Sequence, residues 1–233
     1  MKPCQRWIAA LLVAAACVPA AQANDRPFQV ARTAVFDDDD QGWSIESWAQ
    51  RLGSVRGLSI EPEYTFGNGF SIQTELSRTA DRRERETGHE AEVEFKQVFN
   101  DIVRDGWGWG LSAALAATRT RDTDGTQPSI GIKLPLTLPL GARGSYLHLD
   151  VGVDKARGER RAFTGAVAIE HELAQRTSVF AELAREGTTT FAQIGARHWL
   201  RREKLAVDLS LQQQRAAGTR GAGVIVGIGW YDL

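Results

Sequence analysis

The sequence has few cysteines, one methionine and no long apolar run. Both cysteines, Cys4 and Cys17, lie near the N-terminus, and the single methionine is Met1. No stretch after residue 24 reaches the roughly 18 to 20 continuous apolar residues of a transmembrane helix, so a membrane span would have to be built from strands. An excess of positive charge is also missing, because 28 Lys and Arg stand against 29 Asp and Glu. This balance excludes the basic footprint of a nucleic-acid-binding protein.

The first residues have the pattern of a secretory signal peptide. Lys2 and Arg6 precede a short apolar stretch from Trp7 to Ala16, and Ala21-Gln22-Ala23 is a small-residue cleavage site. Cleavage after Ala23 would leave about 210 residues with no disulfide and no thiol metal site. A lipoprotein anchor at Cys17 is the alternative, although the alanines before it do not include the usual large aliphatic residue. Residues 24–42 are expected to form a polar periplasmic segment.

The rest of the chain, residues 43–233, consists of segments in which apolar and polar residues alternate. The period of two predicts β-strands with one polar and one apolar face. Their lengths match the 9 to 11 residues that a tilted strand needs to cross a membrane, rather than the five or six of a globular strand. The twelve predicted strands lie at about 43–51, 56–66, 69–79, 89–100, 106–121, 128–140, 145–155, 161–173, 177–187, 189–200, 203–215 and 222–232.

The segment HEAEVEFKQVF, residues 89–99, shows the alternation clearly. Ala91, Val93 and Phe95 fall on one face, and the charged side chains from Glu90 to Lys96 fall on the other. In a closed membrane barrel the apolar face contacts lipid and the charged face lines the interior. The sequence therefore predicts an all-β fold, an antiparallel transmembrane β-barrel of about 12 strands; a soluble periplasmic barrel is the alternative.

Aromatic residues cluster where the predicted strands meet one end of the barrel. Amphipathic rings prefer the headgroup level of a membrane, so this placement predicts an interfacial girdle. The girdle residues are Trp43, Tyr64, Phe66, Phe70, Trp107, Trp109, Trp199 and Trp230, with Phe99 and Tyr146 beside them.

Arginines are frequent in the loops and strand ends of the other end, among them Arg78, Arg82, Arg83 and Arg85. Their planar forks suit the phosphorylated headgroups of lipopolysaccharide, so outer-membrane lipids and lipopolysaccharide are expected partners. Ordinary solvated loop arginines are an equally good interpretation.

With its strand architecture and the closing segment GVIVGIGWYDL, residues 223–233, the chain resembles a small bacterial outer-membrane β-barrel protein, porin-like or transporter-like. The final strand departs from the usual pattern, because Trp230 and Tyr231 are followed by Asp232 and Leu233. The resemblance implies an outer-membrane location and recognition by the barrel-assembly machinery. It identifies no subfamily.

The inward face collects mainly acidic side chains. An acidic lumen would attract cations and repel anions, so the sequence favours a porin-like channel or uptake protein for a small solute of unknown identity. A closed, filled barrel with a structural or surface-interaction role is the alternative. The predicted lumen-lining residues are Glu61, Glu63, Glu75, Glu90, Glu92, Glu94, Lys96, Lys133, His148, Asp150, Glu170, Glu172 and Glu182.

An outer-membrane hydrolase is the third interpretation. His148 and Asp150 share one face of the seventh strand, and a histidine held by a carboxylate can act as a general base. No His-x-Ser-Asn pattern accompanies them, so no catalytic residue, metal or cofactor is assigned. The run from Asp37 to Asp40 lacks the spacing of a calcium loop and is interpreted as a solvated acidic stretch. Pro135 and Pro139 predict a bulge or weak seam in the sixth strand.

Overall fold

The computed structural model describes residues 27–35, 41–121, 125–141, 144–216, 219–231 and 233, without the side chains of Val103 and Thr219. The predicted signal peptide, its cleavage site and the run from Asp37 to Asp40 lie outside these residues. The described chain forms one closed antiparallel barrel of twelve strands, in which each strand pairs with its neighbours in sequence and β1 pairs with β12. The predicted all-β barrel is therefore confirmed.

The strands are β1 (Gln41–Leu52), β2 (Val55–Phe66), β3 (Phe70–Asp81), β4 (Glu86–Asn100), β5 (Gly108–Thr120), β6 (Gln127–Pro139), β7 (Ser145–Ala156), β8 (Ala162–Ala174), β9 (Thr177–Glu186), β10 (Thr189–Arg201), β11 (Leu205–Ala216) and β12 (Thr219–Trp230). A short helix, α1 (Ile102–Asp105), precedes β5. Among the described residues, no helix combines the length and apolar character that a membrane crossing requires.

The outer face of the barrel is apolar and the inner face is polar, the reverse of a soluble protein. Val151, Leu183 and Ile194 are each more than 60% exposed on the outside. On β4, Phe95 is exposed, whereas Glu94 and Lys96 are buried in the interior. The alternation arises because successive side chains of a strand point to opposite faces.

Pro135 interrupts one of the two ladders of β6, because proline has no backbone N–H to donate. The pairs between β5 and β6 run from Trp109 opposite Leu136 directly to Ser112 opposite Lys133, with the same register on both sides of the gap. The gap lies next to Pro135, so this position is a weak seam of the predicted kind, without a shift of register. The β6–β7 ladder continues through Pro135.

Aromatic rings gather at the end of the barrel where β1 begins and β12 finishes, which we call the terminal end. Ring contacts link Trp43 to Tyr64, Tyr64 to Phe66 and Phe66 to Phe70, with centroids 5.1, 4.7 and 5.4 Å apart. Farther round the barrel, Phe99 and Trp109 stack at 4.5 Å, and Trp107 and Trp230 are exposed.

Trp199 is placed differently from the girdle expectation. Its side chain faces the interior, is 8% exposed and packs on the ring of Tyr231 at 5.3 Å. The reason is strand parity, because Trp199 lies two residues from the inward Arg197, while its neighbour Leu200 faces out.

Residues 27–35, which we call the lumen segment, lie inside the barrel. The sequence predicts a polar periplasmic segment over residues 24–42 and a first strand that begins at Trp43. Instead, Phe28, Val30, Ala31, Thr33 and Ala34 have 0–1% exposure against the inner wall, and β1 begins at Gln41. The apolar residues of the lumen segment are removed from water only when the barrel closes around them.

Candidate functional site

The lumen segment is held mainly by carboxylates of the inner wall. Glu182, near the middle of β9, accepts hydrogen bonds from the backbone N–H groups of Gln29, Val30 and Ala31, at 2.7, 2.8 and 2.7 Å. Both carboxylate oxygens take part, and Glu182 is only 2% exposed. Hydrogen bonds to a charged acceptor are roughly twice as strong as neutral ones, so this glutamate is the principal backbone anchor.

Three further wall residues form hydrogen bonds with backbone groups of the lumen segment. Asp150 on β7 accepts from the N–H of Arg32 at 2.6 Å, and the hydroxyl of Thr137 on β6 accepts from the N–H of Ala34 at 2.9 Å. Gln193 on β10 donates its amide to the carbonyl of Pro27 at 2.9 Å. The segment belongs to no helix or strand, and these side chains satisfy backbone groups that would otherwise be buried without partners.

Phe28 fills an apolar pocket in the wall. Its ring meets the His148 imidazole at 5.1 Å between centroids and the edge of Phe180 at 5.7 Å. Ala166 and Ala168 of β8 belong to the same buried cluster. Their small side chains leave room for the phenyl ring on an inner face that is largely polar.

Arg32 contacts the wall on the far side of the lumen. Its Nε lies 3.1 and 3.3 Å from the two carboxylate oxygens of Glu94 on β4, and a terminal nitrogen lies 3.8 Å from Glu92. The Arg32 and Glu94 side chains are 7% and 3% exposed. The backbone of the same residue is bound to β7, so Arg32 bridges the interior between two separate parts of the wall.

One wall glycine is needed for the segment to pack. A Cβ added at Gly108, the first residue of β5, would collide with the carbonyl oxygen of Ala34. The backbone of the segment thus approaches β5 more closely than any other residue type would allow.

His148 lies underneath the lumen segment. Its Nδ1 is 3.0 Å from the Thr137 hydroxyl and its Nε2 is 4.0 Å from Glu170. The imidazole is fully buried and covered by Phe28. While the segment is in place, a substrate has no access to this histidine, and the contact geometry favours a role in packing.

A second buried polar group fills the interior near the seam between β12 and β1. The Arg197 guanidinium forms two hydrogen bonds with Asp208, at 2.7 and 3.0 Å, and lies 3.5 Å from Glu46. Tyr231 donates its hydroxyl to Glu46, and its ring lies 5.7 Å from the guanidinium carbon. These side chains therefore link β10 and β11 to β1 and to Tyr231, the residue after β12.

The remaining predicted lumen residues also occupy the inner face. Glu61 and Glu170 are buried. Lys96 lies 4.0 Å from Glu63, and Lys133 lies 3.9 Å from Glu186. Toward the two mouths, exposure increases for Glu75, Glu90 and Glu172, and the Glu90 carboxylate accepts from Thr118 at 2.7 Å. The part of the chain described here contains no group of three or more His, Cys, Asp or Glu side chains arranged to hold a metal ion.

Little space remains beside the segment at its Pro27 end. A cavity lined by Pro27, Gln29, Trp48 and Ser210 has a volume of about 20 Å³, room for little more than one water molecule. The wall of this cavity is formed by the segment together with β1, β11 and β12.

The strand pattern places Glu94, Asp150 and Glu182 on the inner face but does not reveal their partner. It gives no indication of Phe28, Arg32, Thr137 and Gln193. A signal was available, because residues 28–35, FQVARTAV, contain five apolar residues within a stretch interpreted as polar. Glu46 and Tyr231 were also missed, since their role depends on the β1–β12 closure.

Comparison with known proteins identifies the fold. No protein-family model matches the chain, and no curated protein matches its sequence. Among solved structures, the KdgM porin in complex with disordered oligogalacturonate is similar, with a TM-score of 0.59 and 12% identity over 80% of this chain and 98% of that one. The NanC porin gives a TM-score of 0.56 and 7% identity over 81% of this chain and 99% of that one.

The outer membrane protein Omp33 of Acinetobacter baumannii is also similar, with a TM-score of 0.51 and 8% identity over 82% of this chain and 98% of that one. At such low identities the likeness concerns the fold and not the solute. The chain therefore has the closed, twelve-stranded antiparallel barrel fold of bacterial outer-membrane porins and related barrels.

Proposed function

We propose that the chain is an outer-membrane, porin-like channel that passes a small cationic solute through an acidic lumen. Its location follows from the apolar outer face, since exposed Leu, Ile and Val side chains of this number need a lipid environment. The signal peptide, the lipopolysaccharide contacts of the loop arginines and delivery by the barrel-assembly machinery belong to the same proposal.

The observation that carries the proposal is the set of carboxylates on the inner wall. Glu61, Glu94, Asp150, Glu170 and Glu182 are all buried inside the barrel, whereas the inward bases Lys96 and Arg197 contact carboxylates of the wall itself. A lumen with this distribution has a negative field that concentrates cations and repels anions.

The solute is expected to differ from that of the KdgM porin. That protein was solved with an oligogalacturonate, a chain of sugar units that carry carboxylates. When the lumen segment leaves, an anion of this kind would be repelled by Glu94, Asp150 and Glu182. The shared fold supports a channel, and the acidic lining of this lumen supports a cationic solute.

A closed, filled barrel is the second candidate, and the lumen segment is the observation that favours it. The two candidates differ in whether the segment can leave. A hydrolase is less well supported, because Phe28 covers His148.

Planar-bilayer recording tests the proposal on the purified full chain. The wild type and a Phe28→Ala, Arg32→Gln variant, whose segment should leave the wall more readily, are compared under a gradient of potassium chloride. We expect cation-selective current steps that are more frequent in the variant. Glu90→Gln, which removes a carboxylate near the outer mouth without touching the segment, should weaken the selectivity. Silence of both chains would support the filled barrel, and anion selectivity would contradict the acidic-lumen argument.

A further inference from the structure

The contacts of the lumen segment resemble those of a bound ligand more than those of a core. We propose that the inner wall formed by β4, β6, β7, β9 and β10 is a binding site for a peptide that bends as residues 27–35 do and carries an aromatic residue four positions before an arginine, and that the lumen segment occupies this site as a tethered competitor. The inference deepens the proposed channel function, on which it rests for the access of peptide to the lumen.

The wall recognises backbone groups, which every peptide presents. Glu182, Asp150 and Thr137 accept five N–H groups, and Gln193 donates to a carbonyl. Main-chain hydrogen bonds that hold a peptide, together with pockets for selected side chains, are a common mode of peptide recognition. The wall side chains would make the same contacts with another peptide in the same conformation.

Two pockets of the wall supply specificity for particular side chains of the peptide. One pocket, formed by His148, Phe180 and small alanines, accepts the ring of Phe28. The other, formed by Glu92 and Glu94, accepts the guanidinium of Arg32. An aromatic ring and an arginine are the side chains that most often anchor protein interfaces, and their spacing of four residues is fixed by the distance between the pockets.

The carboxylates that bind the segment differ from those of the other buried polar group of the lumen. Arg197 pairs with Asp208 on the neighbouring strand β11 and lies near Glu46 on β1, so its charge is balanced by carboxylates of the wall itself. Glu182 and Asp150 instead direct their charges at the backbone of a segment that is not a strand. Buried carboxylates need such partners, and they become accessible acceptors for another peptide, or for water, when the segment leaves.

Tethering determines how the site would respond to an added peptide. A tethered occupant acts at an effective concentration of the order of millimolar, so an added peptide binds measurably only when the occupant is weakened. Substitutions in the segment should therefore strengthen the binding of the added peptide, whereas substitutions in the wall should weaken it.

The test uses a fluorescent synthetic nonapeptide with the sequence of residues 27–35, PFQVARTAV, and the purified full chain in detergent. Fluorescence anisotropy is measured for the wild type and for the Phe28→Ala, Arg32→Gln variant. We expect the variant to bind at least about tenfold more tightly than the wild type, because its own segment competes less. The same peptide with glutamine in place of Arg32 should bind at least about tenfold more weakly, through loss of the charge-assisted contacts. A scrambled nonapeptide is the control.

Two outcomes overturn the inference: equal affinity of the nonapeptide for both chains, or equal affinity of the scrambled and native peptides for the variant. Absence of binding to the variant also overturns it, provided that migration on unboiled gels shows a folded barrel. Arg32→Gln alone serves as a second, milder variant. Failure of binding leaves the proposed channel intact if current steps are still recorded, whereas binding without current would contradict the channel and retain the site.

Discussion

Replacement of Arg32 by glutamine should release the lumen segment from the wall. The guanidinium contacts Glu94 at 3.1 Å, and both side chains are less than 10% exposed. Removal of one partner from a buried ion pair costs about 3–5 kcal/mol. We take about 2–3 kcal/mol here, since water can reach Glu94 after the guanidinium is lost. The ratio of released to bound segment should then rise about 30- to 140-fold, at about 1.4 kcal/mol for each factor of ten.

The labelling rate of a cysteine placed at Val30 measures this release. Val30 is 1% exposed, and cysteine behaves as a small apolar residue when buried. A water-soluble thiol reagent should react only with the released segment, so the rate follows the population of that state. The chain without the Val30→Cys substitution gives the background from any retained Cys4 or Cys17.

Two matched substitutions control for effects of charge and of the arginine itself. Arg32→Lys keeps the positive charge near Glu94 and should raise the rate less than Arg32→Gln does. Arg104→Gln makes the same chemical change in the exposed pair with Asp105, where the arginine side chain is 56% exposed, and should leave the rate unchanged. An equal labelling rate for wild type and Arg32→Gln would refute the view that this ion pair holds the segment.

Further predictions concern the wall and the barrel. Glu182→Ala should raise the labelling rate of the Val30 cysteine at least as much as Arg32→Gln does, by about 30-fold or more, because three N–H groups lose a charged acceptor; a smaller effect than that of Arg32→Gln would contradict its role as principal anchor. Gly108→Ala should raise the same rate, because the added Cβ would collide with the carbonyl oxygen of Ala34. Gly165→Ala should not, because the nearest atom to its added Cβ lies at 3.7 Å. Arg197→Ala should destabilise the barrel by about 3–5 kcal/mol, since Asp208 loses its buried partner, with a lower temperature of conversion on unboiled gels as the readout.

The sequence predicted the barrel because each strand carries its own local signal. On β4 the alternation of Val93, Glu94, Phe95 and Lys96 assigns two faces without knowledge of any partner, and the same holds for the other strands. Trp199 shows the limit of a simpler rule. Its aromatic character suggested the girdle, but its parity with Arg197 decided the inward direction.

The sequence by itself determined the strand number, the two faces and the acidic character of the interior, since these depend on neighbours one or two residues away. Only the tertiary structure decided what occupies that interior. The contact between Val30 and Glu182 joins residues 152 positions apart, and that between Arg32 and Asp150 joins residues 118 apart. Such partners become neighbours only after the barrel closes, because closure brings β4, β7 and β9 around a common space that no single strand defines.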